Sequence, residues 1–306
     1  MREPESDETF DSPPLPSLDG RGRETFRGLV LVPTPIGNLG DMTARAVAAL
    51  KAADILLCED TRSTARLLAA YGIEARMTPL HEHNEDARTP GILAQLAEGK
   101  CVALVSDAGM PLLSDPGFRL VRAAIEAGHH VGGLPGANAA TLALILSGLP
   151  PHPYLFAGFP PPRSAARKTT FEGFRAAERV GLSATLIFHE APHRLAEALA
   201  DMAAVFGGAR PAAVARELTK RFEEVRRGDL STLANHYASE AARGEIVVLI
   251  GPAPAEVLAP DALDAALRAG LDAGLGVRGA ADAAAAITGV GRRDAYARAL
   301  ALKVDE

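Results

Sequence analysis

The segment CVALVSDAGMPLLSDPG, Cys101–Gly117, carries two acids in different company. Asp107 follows an apolar run directly and stands before Gly109 and Pro111, which shape a tight turn that a ligand can approach closely. An acid there can accept hydrogen bonds from ribose hydroxyls or from an ammonium group; equally, it can stabilise its own turn. Asp115 precedes Pro116 and a helical run, an arrangement that predicts a helix N-cap with proline at the first helical position. Its expected role is structural. A second loop, Pro33-Thr-Pro-Ile-Gly-Asn38, occupies the place of a dinucleotide fingerprint, yet neither G-x-G-x-x-G nor a P-loop is present. Its two prolines cannot offer the backbone N–H groups that cradle phosphate. A rigid loop of this kind suits a ligand held by shape and disfavours a phosphate-rich cofactor. A third loop, Leu134–Ala140, passes through Pro135-Gly136 and the small residues Ala137, Asn138 and Ala139, which allow close approach or make an ordinary turn.

These loops need elements to hold them. Strands are expected at Leu29–Val32, Asp54–Cys58, Met77–Leu80, Val102–Val105 and His130–Leu134. Helices are expected at Thr43–Ala52, Ser63–Tyr71, Thr89–Glu98, Pro116–Ala127 and Ala139–Ser147. Such alternation means a mostly parallel sheet covered on both faces, with ligands beyond the carboxyl ends of the strands. Gly148–Pro153 breaks the rhythm. Beyond it, strands are expected at Tyr154–Ala157, Ala184–Phe188, Ala212–Arg216, Glu223–Arg227 and Ile246–Ile250, with helices at Ala165–Ala177 and His193–Phe206. The last strands suggest a hairpin-like or mixed arrangement. After Pro252 an Ala-rich tail reads as helix, turn and helix over Gly279–Thr288, Gly289–Gly291 and Arg292–Leu302, of which reading DNA is only one use. The expected division is a disordered tail at 1–27, α/β domains at 28–149 and 150–252, and a small helical domain at 253–306.

A chain of 306 residues, 48% hydrophobic and 23% charged, has room for two ordinary cores. With no Trp and few aromatics, Leu, Val, Ile and Ala must build them. The only cysteines, Cys58 and Cys101, lie in apolar runs, so neither a disulfide framework nor a metal site is expected, which fits a reducing cytoplasm. No apolar run reaches the length of a membrane span. The net charge of −6 argues against a protein that coats nucleic acid nonspecifically, while leaving room for a local basic groove.

Six segments in register carry a resemblance: PTPIGNLGDMTARA, LLCEDTR, VSDAGMPLLSDPG, PGANAA, FHEAPHR and RELTKRFEEVRRG. Over about Leu29–Pro252 the chain resembles the tetrapyrrole methylase superfamily, most closely its bacterial ribosomal RNA small subunit methyltransferase I branch. The resemblance implies a two-domain α/β fold of the class III methyltransferase type, with a small C-terminal helical domain. It implies S-adenosylmethionine in the cleft between the domains, a homodimer, and 2′-O-methylation of a cytidine ribose in 16S ribosomal RNA near the decoding centre. Carried over by position, the cofactor meets Pro33 and Pro35, the loop Ser106, Asp107, Ala108 and Gly109, and then Ala137, Asn138 and Ala139. Phe156, Ala157, Gly158, Glu190 and Ala191 contribute from the second domain. The porphyrin-modifying members carry G-x-G-P-G where this chain has PTPIG, which favours the RNA branch.

Methyl transfer from a sulfonium is an in-line displacement, so positioning and a desolvated cleft matter most. A ribose hydroxyl needs a base or a cation beside it. Candidates are His189, Glu190, His193, Glu217 and Lys220, with Glu190 and Lys220 preferred; helix-start packing for His193 and a loop hydrogen bond for Glu190 are the structural alternatives. The expected RNA surface comprises Arg163, Arg167 and Lys168 beside a proline-rich loop, and Arg216, Lys220, Arg221, Arg226 and Arg227 in one segment. That segment also holds Glu217, Glu223 and Glu224, so part of it is expected to be self-paired. Substrate presentation in the assembling small subunit is expected. A small-molecule methyltransferase of the tetrapyrrole type and a non-catalytic ribosome-binding module remain open as alternatives.

Overall fold

The computed structural model of the chain describes residues 26–254, 262–288 and 290–304. The tail expected at 1–27 lies outside them except for Phe26 and Arg27, as does Gly289 of the C-terminal turn. Residues up to Pro252 form one compact unit and Ala253–Glu306 a second.

The first lobe of the large unit alternates β1 (Leu29–Val32), α1 (Ala44–Ala52), β2 (Ile55–Cys58), α2 (Thr61–Ala70), β3 (Met77–Pro79), α3 (Glu85–Ala97), β4 (Val102–Val105), α4 (Phe118–Glu126), β5 (Val131–Gly133) and α5 (Ala139–Ser147). The five strands are parallel in the order β3-β2-β4-β1-β5. β4 is buried along its whole length and β1 along all but one residue, as strands covered on both faces must be. One face packs on α1 and α2 through Ala46, Ala49, Leu50 and Leu68, the other on α3 and α4 through Ile92, Leu96, Leu120 and Ala124.

The second lobe runs β6 (Tyr154–Phe156), α6 (Ser164–Arg179), β7 (Thr185–Glu190), α7 (Leu195–Phe206), β8 (Pro211–Arg216), β9 (Glu224–Asp229), α8 (Leu230–Ser239) and β10 (Ile246–Ile250). Its order is β6-β7-β10-β8-β9, parallel only between β6 and β7. Helices α6, α7 and α8 cover one face around Phe171, Phe188, Leu199 and Met202. The other face is covered by α5: Ala140, Ala143 and Leu144 pack with Ile187, Ala213, Val247 and Leu249. The helix that closes the first lobe in sequence therefore packs on the second sheet. Its apolar sequence, AATLALILS, supplies that packed side through Ala140, Ala143 and Leu144, while Ile145 remains exposed.

Four element assignments differ from expectation, the last being an unexpected first helix in the small unit. Asp115 does not cap a helix; α4 begins at Phe118 with Gly117 as N-cap, because Pro116 and Gly117 belong to the preceding turn. Helix α3 begins at Glu85, with Pro90 inside it. Helix α8 was not expected, yet Asp229 caps it by accepting from the Thr232 N–H, and Leu230, Leu233 and Tyr237 bury its inner face. Among its described residues the small unit holds three helices, α9 (Ala262–Asp272), α10 (Val277–Thr288) and α11 (Arg292–Val304), around Leu267, Ala281, Ala284, Ala295 and Ala299.

Candidate active site

The carboxyl ends of β1, β4 and β5 deliver three loops to one place. Thr34 and Gly109 exchange backbone hydrogen bonds of 2.9 and 3.1 Å, joining the first loop to the second. Buried Thr34 donates through Oγ1 to the Ser106 carbonyl at 3.1 Å, and buried Ser106 donates through Oγ to the Gly109 carbonyl at 2.9 Å. These hydroxyls spend their hydrogen bonds on the turn. Gly136 lets the third loop approach the first, since a Cβ there would fall 2.5 Å from the Pro33 ring. Asn138 caps α5, accepting from the Thr141 N–H at 3.0 Å.

Among the expected cofactor residues, Pro33, Ser106 and Gly109 are buried parts of this frame, while Asp107 and Ala108 are exposed at its rim. Pro35, Ser106 and Asp107 line a cleft of about 240 Å³ with Thr34, Gly37 and Thr64. Ala137 and Asn138 line an adjoining depression with Ile36 and Thr219. Ala139 begins α5 beside them. From the second lobe, Gly158 reaches the loop of Ser114: a Cβ at Gly158 would lie 3.5 Å from Ser114 Oγ. Phe156 and Ala157 lead into that contact, with the Ala157 N–H bonded to the Ile187 carbonyl at 2.9 Å.

The first-lobe rim is acidic. Asp107 accepts from the Asp60 N–H at 3.2 Å, and Asp60 in turn caps α2. Burial, with the charges of Glu59 and Asp107, raises the Asp115 pKa from 3.8 to about 7. Burial and Asp107 likewise push Glu59 upward. Asp115 therefore sits in an acidic cluster instead of at a helix start. Glu59 and Asp60 were not singled out in the sequence; their signal was position, since LLCEDTR leaves the tip of β2 beside that of β4. Burial also raises both thiols, Cys101 to about 11, so neither cysteine is an activated nucleophile. Among the described residues no group of three or more acids, histidines or cysteines could hold a metal.

Register aligns the second-lobe candidates. Ile246 pairs with Glu190 on one side and with Arg216 on the other, so FHE, GEI and RELTK meet at the same end of the three central strands. Lys220 Nζ donates to Glu217 Oε1 at 2.9 Å and to Glu245 Oε2 at 3.1 Å. Glu217 is fixed in turn, with Oε1 accepting from the Glu245 N–H at 3.0 Å. Burial alone would lower the Lys220 pKa, but the two carboxylates outweigh it and hold it above its ordinary value. Lys220 is consequently a permanent cation and not a base. Its stem crosses to the first lobe, where a Cβ at Gly37 would lie 2.3 Å from Lys220 Cγ. Glu245 was missed in the sequence because only strand pairing brings it to Lys220.

Glu190 is placed differently. It is buried, with Oε1 held by Arg194 and by the Ala191 N–H at 2.8 Å, and Oε2 has no hydrogen-bond partner among the described residues. This anchors the turn into α7, through Ala191. His189 lies between the rings of Phe156 and Phe159, at 4.9 and 5.3 Å, and burial lowers its pKa. His193 is exposed on the following turn.

The basic residues separate into two kinds. Arg167 is fully buried, bonded to Asp201 at 2.6 Å and Glu197 at 3.1 Å. This corrects its assignment to an RNA surface: its charge joins α6 to α7. Arg227 also has a structural task, donating to the Ser147 carbonyl at 3.1 Å and to the Leu146 carbonyl at the end of α5. Arg216 and Arg226 share Glu224 at 3.0 and 2.7 Å, and Lys168 meets Asp201 at 3.3 Å. Arg163 and Arg221 are exposed.

Comparisons with known proteins identify the family and the fold. Residues 28–234 match the family model described as Tetrapyrrole (Corrin/Porphyrin) Methylases, and residues 256–303 match the RsmI C-terminal HTH domain. The chain is 49% identical over 276 residues to a protein of Mesorhizobium japonicum named Ribosomal RNA small subunit methyltransferase I, covering 90% of this chain and 92% of that one. A protein of the same name from Escherichia coli O157:H7 is 43% identical, covering 89% and 94%. Among solved structures, diphthine synthase aligns with a TM-score of 0.57 at 16% identity, covering 73% of this chain and 89% of that one. The methyltransferase CobJ aligns at 0.55 and 20%, covering 76% and 97%. At such identities these two likenesses speak for the fold alone.

Proposed function

The chain belongs to the tetrapyrrole (corrin/porphyrin) methylase family, on its ribosomal RNA small subunit methyltransferase I branch, and from that premise we propose that it methylates the 2′-oxygen of a cytidine ribose in 16S ribosomal RNA near the decoding centre. S-adenosylmethionine is the methyl donor; when bound, it supplies an electrophilic methyl group on a sulfonium. The observation that carries the reading is the meeting of a proline-stiffened cleft, with Asp107 in its lining, and an ammonium group locked by two carboxylates.

The residues fit that donor. Asp107 stands exposed at the rim to accept from ribose hydroxyls or an ammonium, and a carboxylate there suits a cationic ligand better than a polyphosphate. Pro33, Pro35, Ser106, Ala108 and Gly109 shape the wall, Ala137, Asn138 and Ala139 its neighbour, and Phe156, Ala157 and Gly158 close it from the second lobe. Glu190 holds Ala191 in place. Lys220 acts on the acceptor: a fixed ammonium favours loss of the hydroxyl proton by stabilising the oxyanion. Each turnover releases that proton. Arg163, Lys168, Arg216, Arg221 and Arg226 are the proposed phosphate contacts. The proposal extends to a homodimer working in the cytoplasm on the assembling small subunit.

The test uses small subunits from a strain lacking this protein, incubated with the enzyme and isotope-labelled donor, and RNA mass spectrometry. One labelled ribose methyl on a cytidine is expected, with Lys220→Met reducing the rate on the order of 100-fold. A label on a base, or none with active subunits, would overturn the proposal.

A further inference from the structure

The loop that carries Lys220 also displays an aromatic ring that the chemistry above does not use. Phe222 is 63% exposed, and the guanidinium carbon of Arg221 lies 5.5 Å from its ring centroid. A single exposed apolar side chain is ordinary on a surface. This one is set on a loop held in strained conformation, with Glu217 and Thr219 at φ of 51° and 65°. The loop is stapled at several points. The Thr219 N–H donates to the Glu223 carboxylate at 2.6 Å, the Lys220 N–H to the Glu217 carbonyl at 3.0 Å, and the Glu223 N–H to the Lys220 carbonyl at 3.1 Å. The ring is thus held out in water two residues from the catalytic ammonium, beside a cation that meets no carboxylate closely enough to form an ion pair with it among the described residues.

We propose that Phe222, with Arg221 beside it, is the stacking platform for an unpaired RNA base next to the target nucleotide. The inference rests on the RNA substrate proposed above. A ring face with an adjoining guanidinium matches what single-stranded RNA presents: the flat face of a base and a phosphate one bond chain away. Rigidity of the loop places that base in fixed register with Lys220, so the platform selects which ribose reaches the ammonium.

Stacking and phosphate pairing respond differently to salt, which makes them separable. Binding of unmethylated small-subunit particles is measured across a salt series for the wild type, Phe222→Ala and Arg221→Ala. Phe222→Ala is expected to weaken binding on the order of 10-fold at every salt concentration, leaving the slope unchanged. Arg221→Ala is expected to reduce the slope by up to about 0.7. Unchanged melting temperatures for both variants keep the comparison free of folding defects. Because the chain contains no Trp, Phe222→Trp supplies its one tryptophan, read by red-edge excitation as the difference from wild type with the same particles. Its emission is expected to be quenched on particle binding, as stacking on a base requires. Wild-type affinity in Phe222→Ala overturns the platform. So does a blue shift of the Phe222→Trp emission without quenching, which would place the ring against ribosomal protein. Failure of the wild type to bind particles at all would instead count against the RNA substrate itself.

Discussion

In the first lobe, like charges gather: Glu59, Asp107 and Asp115 share the rim of a parallel sheet, where burial and then neighbouring acid charges, Asp107 among them, raise the proton affinity of Glu59 and Asp115. In the second lobe, unlike charges pair: Arg167 with Asp201, Arg216 and Arg226 with Glu224, Lys220 with Glu217 and Glu245. The first arrangement costs stability and creates a field; the second holds elements in register and leaves little field. A residue's type therefore says less about function than the company its fold gives it. The acids look like a site for a cation, whereas most of the arginines counted as an RNA surface are partly or wholly engaged within the protein.

The contrast breaks first at Arg167. Arg167→Ala should cost about 3–5 kcal/mol, since it abandons buried Asp201. Urea unfolding measures this, and a variant with wild-type stability but weakened RNA binding would return Arg167 to the RNA surface. Gly136→Ala tests the frame of the first lobe. The added methyl meets the Pro33 ring, so a loss of about 1–3 kcal/mol, divided between melting temperature and donor affinity, is expected.

The acidic rim carries its own pH signature. An aspartate whose folded pKa is about 7, against an ordinary 3.8, keeps its proton in the folded chain while the unfolded chain has lost it. The folded state then binds more protons, so this group's contribution falls as pH rises from about 4 to about 7 and levels off above. Asp115→Asn should remove that fall, raising stability at neutral pH by roughly 1–2 kcal/mol after solvent screening, and doing nothing at pH 4. Melting curves across this window decide it; an Asp115→Asn chain that keeps the wild-type fall would show that Asp115 is not the group that holds the proton. The smallest effect belongs to Arg226. Its share in Glu224 should limit Arg226→Ala to well under one charge in the salt dependence of particle binding, and a full unit would mark it as a free phosphate contact.

How much of this was legible depends on range. Leu29–Val32, Val102–Val105 and Ile246–Ile250 were read with their observed bounds because a strand buried on both faces is a continuous apolar run. Asp107 could be singled out because it stands two residues past the end of such a run. Local logic failed at Asp115, where the Asp-Pro pair satisfied a helix-start rule that the turn through Gly117 overrode. It failed at the start of α3, expected at Thr89 and found at Glu85, so that Pro90 lies inside the helix. Nothing local could announce that Arg167 finds Asp201, that Lys220 finds Glu245, or that α5 packs on the second sheet, since each depends on pairing between distant segments.

The central claim is that the strand-tip cleft, with Asp107 at its rim, takes a sulfonium-bearing nucleoside and refuses polyphosphates. Calorimetric titration of the purified protein with S-adenosylmethionine tests it most directly, with ATP and NAD as competitors. Saturable binding is predicted, weakened at least about tenfold by Asp107→Ala and untouched by either competitor. No heat from S-adenosylmethionine, with capture of ATP or NAD in its place, would contradict it.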